Sequence, residues 1–166
     1  KYEALKGVHV MLIRFCKIVL ALMFCSSFAV AEASDCQGVM THEVQMLNKS
    51  AADPKIKMVF EPSYIAIAPG DCVKFLPTSK GHNAETIKKM YPKAAKKFKS
   101  KVNKEFVVRL EVEGLYGIKC TPHYQMGMVA LIQVGEVSEE SLSKSAKVKH
   151  RGKAKDRFKM LFSALE

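Results

Sequence analysis

The chain has 166 residues, 48% of them apolar and 26% charged, a balance that excludes a disordered or fibrous protein and allows one domain of about 100–150 residues with something added. Lysine and arginine total 27 against 16 acids, a net charge of +11 that favours an acidic partner, an anionic membrane or nucleic acid without choosing among them. Five cysteines are too few for a disulfide-packed miniprotein and odd in number, so at least one thiol is left for metal, chemistry or an intermolecular bridge.

The first thirty residues stand apart from the fold. Met11 opens a run with Arg14 and Lys17, an apolar stretch over 18–24 and the small-residue end Ala29-Val30-Ala31, the pattern of a secretory signal peptide. That stretch is shorter than the roughly 20 residues a membrane span needs. Residues 1–10 read as upstream sequence and 11–31 as the leader, cleaved after Ala31 or Ala33. The exported remainder keeps Cys36, Cys72 and Cys120; in an oxidising compartment Cys36 with Cys72 is the pair to test, which leaves Cys120 free.

Residues 32–135 then read as an all-β sandwich, with short strands between turn signals. Strands are expected at 43–47, 56–60 and 64–67. Ala68-Pro69-Gly70-Asp71 turns the chain into a strand over 72–75. Phe106, Val108, Leu110 and Val112 alternate with Val107, Arg109 and Glu111, as in a half-buried strand. Strands over 115–120 and 129–134 complete a set of about seven or eight, enough for two packed sheets. Past Gly135 the pattern turns helical and makes 136–166 a two-helix extension. Ser138 precedes Glu139 and Glu140, a capped and dipole-matched start, and Ala154, Phe158, Leu161, Phe162 and Leu165 form one apolar stripe to be buried on the sandwich.

The chemistry concentrates in Cys120-Thr121-Pro122-His123-Tyr124-Gln125-Met126-Gly127-Met128. Thiolate and thioether are soft donors and imidazole is borderline, a set that suits copper; a trigonal His₂Cys site with a long axial Met is the arrangement of a blue electron-transfer centre. A second histidine must come from elsewhere. His42 is expected before the first strand and His150 in the basic tail, whereas His82, in Lys80-Gly81-His82-Asn83, follows a strand at the end of the sandwich where loops converge.

These motifs, with Val44-Gln-Met-Leu-Asn-Lys49, Val59-Phe-Glu-Pro62, Phe98-Lys-Ser-Lys101 and Tyr116-Gly-Ile-Lys-Cys120, give a chain that resembles the pseudoazurin family of type I copper proteins over residues 43–166. The resemblance implies a mainly β, cupredoxin-type Greek-key sandwich of about eight strands with two C-terminal helices, and one copper ion held by His82, Cys120, His123 and Met128. It further implies a periplasmic one-electron carrier that is not an enzyme, with acidic redox partners: copper nitrite reductase first, then c-type cytochromes and nitrous oxide reductase. A monomer is expected. The chain departs from the family at Gln125, where Gly is usual, at Cys72, where Thr is usual, and in a longer loop over 50–57. Met126 reads as a packing residue, Met58 as a neighbour of the exposed histidine ring in the family's manner, Pro122 as a stiffener, and Asn83 as the tie between the two ligand loops.

Competing readings are weaker. Zinc also binds thiolate and imidazole, but Met is a poor zinc ligand. A thiol–imidazole catalytic pair lacks an orienting Asn or Asp and a substrate pocket. A copper chaperone or storage module would exchange metal rather than electrons. Nine lysines and one acid, Glu85, lie between Lys80 and Lys104, and eight bases with Asp156 between Lys144 and Lys159. The first group follows His82 and is expected to steer acidic partners; the second reads as a solvated surface. Nucleic-acid binding has no supporting fold and membrane spanning no segment.

Overall fold

In the computed structural model, which describes residues 36–165, alternating side chains build two sheets face to face. The predicted leader and its cleavage point lie outside the described residues. Strand β1 (Thr41–Lys49) buries Val44 and Met46 while their neighbours point outward, the period-2 pattern of a strand with one dry face. It pairs antiparallel with β2 (Lys57–Glu61) and parallel with β4 (Cys72–Leu76), which in turn pairs antiparallel with β6 (Phe106–Arg109). The second sheet runs β3 (Tyr64–Ile67), β8 (Val129–Val134), β7 (Gly114–Lys119) and β5 (Glu85–Thr86). Strands that follow one another in sequence often lie in opposite sheets, so loops cross between layers at both ends.

The inter-sheet core comprises Val44, Met46, Phe60, Val73 and Phe75 from one layer and Tyr116, Ile118, Ala130, Ile132 and Val134 from the other. The second sheet is covered on its outer face too. Leu115, Val129 and Leu131 point away from the first sheet into a cluster with Ala154, Phe158 and Phe162, which explains why β8 is apolar at four successive positions, 129–132, rather than alternating. Ala154, Phe158 and Phe162 belong to the helix α2 (Lys153–Ser163), which follows α1 (Glu139–Ala146). Ser138 caps α1 by accepting a hydrogen bond from Ser141 N at 3.2 Å, as its sequence pattern predicts. Among the described residues no helix is long and apolar enough to cross a membrane.

Cys36 and Cys72 are joined in a disulfide that ties the segment before β1 to β4. Three expectations require correction, and one strand, β5, is not among those expected. His42 lies inside β1, with Nε2 3.0 Å from Asp71 Oδ2, because β1 starts two residues earlier than its apolar alternation shows. Strand β6 stops at Arg109 instead of reaching Val112: Leu110 leaves the ladder by bonding the turn, donating to Asp71 O and accepting from Gly70 N. The short β5 has no alternation to announce it. His150 is not a free member of the tail, since its ring stacks on Phe158 at 4.2 Å.

Candidate metal centre

Three loops at one end of the sandwich meet around a small set of donor atoms. His82 sits between β4 and β5, fully buried. Gly81 before it has φ +95°, a backbone that other residues rarely adopt, and lets the chain turn inward. Its N–H donates to Asn103 Oδ1 at 2.5 Å, while Asn103 N donates to His82 O at 2.9 Å. The ring itself is oriented by β1: His82 Nε2 lies 2.9 Å from Asn48 Oδ1, so Nε2 carries the proton and Nδ1 is left as the lone-pair donor.

Cys120 follows the last residue of β7 and is likewise buried. Its N–H donates to Met128 O at 3.0 Å, and Met128 N donates to His123 O at 3.2 Å, so the loop folds back on itself and brings Met128, fully buried, into the same core cluster as Cys120. A 3₁₀ turn over Tyr124–Met126 ends at Gly127, with φ +93°. Asn83 ties this loop to the His82 loop as predicted: its Oδ1 accepts from Thr121 N at 2.8 Å and its Nδ2 donates to Thr121 Oγ1 at 3.1 Å. The Thr121 hydroxyl donates onward to Glu85 Oε2 at 2.6 Å.

His82, Cys120 and His123 come together as the sequence predicts. Their Nδ1 atoms lie 3.1 Å apart, and Cys120 Sγ lies 3.7 Å from His82 Nδ1 and 3.5 Å from His123 Nδ1. A triangle with these sides has a point about 2.0 Å from every corner, the reach of a metal–nitrogen bond and slightly less than that of a metal–sulfur bond. Both rings present the same nitrogen to that point. Soft sulfur, two imidazoles and a nearby thioether form a donor set that fits copper.

Electrostatics favour neutral donors. Burial, reinforced by the neighbouring His123, pushes the His82 pKa down to about 4, so its ring is uncharged at neutral pH. Burial pushes the Cys120 thiol up, against the pull of backbone N–H groups of Asn83 and His123; without metal the thiol keeps its proton, which an incoming cation must displace. His123 is only half-buried.

Some site residues differ from expectation. Met126 is 46% exposed, since the 3₁₀ turn carries it outward, and is a surface residue beside His123 rather than a packing one. Gln125 is exposed as well, so its side chain needs no room inside the loop. Met58 packs partly buried against the core that includes Cys120 and Met128. Asn48, on which the His82 ring depends, carries no sequence signal of that role.

Residues 44–135 match the family of copper binding proteins described as plastocyanin/azurin. A pseudoazurin from Paracoccus pantotrophus is 46% identical over 117 residues, covering 70% of this chain and 78% of that protein. Among solved structures, pseudoazurin from Methylobacterium extorquens AM1 superposes with a TM-score of 0.70 at 44% identity, covering 76% of this chain and 99% of that one. Native pseudoazurin from Hyphomicrobium denitrificans gives 0.69 at 41% identity, covering 75% and 97%.

Proposed function

Given that this chain belongs to the pseudoazurins of the plastocyanin/azurin copper-binding family and is therefore a small copper electron carrier and not an enzyme, we propose that it works in the periplasm and delivers single electrons to copper nitrite reductase. The observation that carries the reading is the convergence of Cys120 Sγ with two Nδ1 atoms. We assign His82, Cys120, His123 and Met128 as the residues that would hold the copper ion.

Bound copper supplies a one-electron exchange between Cu(I) and Cu(II). The protein's part is to hold the donors still. Asn48 fixes the His82 ring, Asn83 locks the two ligand loops together, and the buried surroundings of Cys120 exclude water. His123, half-buried next to exposed Pro122 and Met126, offers its ring edge to a partner. The leader-like sequence pattern over 11–31 and the Cys36–Cys72 disulfide support an oxidising compartment. The basic surface supports an anionic docking site on the partner, in a brief and small contact of the redox type.

Anaerobic mixing of the reduced protein with copper nitrite reductase and nitrite tests the partner. Rapid oxidation of the carrier coupled to nitrite turnover is expected. Absence of transfer to the reductase, with a c-type cytochrome still exchanging electrons, would remove the named partner and leave the carrier.

A further inference from the structure

The loop between His123 and Met128 is gripped from outside by the C-terminal segment at three successive places. The Tyr124 hydroxyl lies 2.5 Å from His150 Nδ1, and the His150 ring is itself sandwiched against Phe158 of α2. Gly152, with φ +58°, lies against the Gln125 carbonyl oxygen so closely that any side chain there would collide with it. Arg157 reaches from α2 to donate through Nη1 to Gly127 O at 2.6 Å. The same guanidinium donates to Met58 O at 2.6 Å and to Lys57 O at 2.7 Å, and Met58 is held in a left-handed backbone with φ +55°.

Docking of α2 does not require this. Ala154, Phe158 and Phe162 already bury its apolar stripe in a cluster with Leu115, Val129 and Leu131. A guanidinium withdrawn from water and aimed at three carbonyls is an expensive way to add adhesion, and its rigid fork is suited to fixing positions. Gly152 likewise gives up a capping side chain at the start of α2, which has no side-chain cap. Both choices favour geometry at the loop over stability of the helix. A thioether is a weak donor that would not by itself dictate where the Met128 side chain sits, so the scaffold must.

We propose that the C-terminal segment is a clamp on the metal-binding loop, with Arg157 as its main positioning residue and His150 as its second: together they fix the backbone between His123 and Met128 and thereby the placement of the Met128 thioether. The effect on the metal rests on the copper reading above; the effect on the loop does not.

The test compares full-length R157Q and R157K with F162A, which weakens helix docking but keeps the Arg157 guanidinium and its carbonyl partners. In metal-free protein, amide hydrogen exchange over Met126, Gly127 and Met128 rises at least about tenfold in R157Q while interior amides of β7 stay protected. R157K shows the same rise, because a point charge cannot bridge three carbonyls, and it carries the test if R157Q does not fold. In the copper-loaded protein both variants change the ratio of the visible sulfur-to-copper bands and shift the midpoint potential; F162A lowers the melting temperature but leaves exchange in the loop, band ratio and potential at wild-type values. Wild-type exchange in both arginine variants, or an equal rise in F162A, would overturn the clamp. A wild-type protein that takes up copper without a blue chromophore would overturn the copper reading instead, and the metal-free comparison would still judge the clamp.

Discussion

Asn48 and His82 show how much of the centre rests on single atoms. The bond between Asn48 Oδ1 and His82 Nε2, 2.9 Å long, selects the tautomer that leaves Nδ1 free, so Asn48→Ala should weaken metal binding by about 10–100-fold in competition with a chelator, with the fold intact. Unchanged affinity would show that the ring is held by packing alone. His82 also sets a pH dependence. Its folded pKa is depressed to about 4 from 6.5, so below about pH 6.5 the unfolded chain binds a proton that the folded, metal-free chain refuses. Stability of the metal-free protein therefore declines as pH falls from 6.5 towards 4, by about 1–3 kcal/mol, and denaturant midpoints across that range measure it. His82→Gln should flatten that part of the profile. Cys120, His123 and Met128 are legible in the sequence because they lie in one stretch of nine residues whose donor chemistry needs no fold to be noticed. Asn48 is not legible, since its contact spans 34 residues and exists only once β1 has brought its far end beside the His82 loop.

At the level of elements, strands with one wet face announced themselves and strands with two dry faces did not reveal what covered them. Val44 and Met46 in β1 mark one face clearly; β7 and β8 bury successive residues because α1 lies on the outer side of β7 and α2 on that of β8, a fact that needs the helix stripe and the strand runs to be read together. The end of β6 was hidden for another reason: Leu110 continues the apolar alternation but spends its hydrogen bonds on the turn at Gly70 and Asp71. Cys36 with Cys72 could be paired from the expected compartment, and the bridge closes a loop of sequence separation 36. Replacing both by serine should lower stability by about 2–4 kcal/mol, seen as a lower melting temperature. The copper spectrum should stay as in the wild type, since β4 contributes no ligand; an altered spectrum would show that the bridge reaches the metal centre.

At the scale of the whole molecule, the end that holds the donors carries several lysines. Lys99 and Lys101 border a depression lined also by Asn83, Thr121 and Pro122, and exposed Lys80 immediately precedes Gly81. Lys99 and Lys119 share Glu85 at 3.5 and 3.7 Å, which leaves Lys80 and Lys101 as the better steering charges. Neutralising both should slow electron delivery to an acidic partner several-fold at low ionic strength and make the rate less sensitive to salt, with the midpoint potential unchanged; stopped-flow mixing over a salt series checks this, and identical salt slopes would remove the steering role. Electron carriage by this chain depends on Cys120 Sγ, which would bind the copper ion. Titration of the metal-free protein with Cu(II), followed by visible absorption, tests it most directly. An intense blue band that saturates at one copper per chain and is missing in folded Cys120→Ala is the predicted result; a colourless loaded protein, or a band that survives Cys120→Ala, would contradict it.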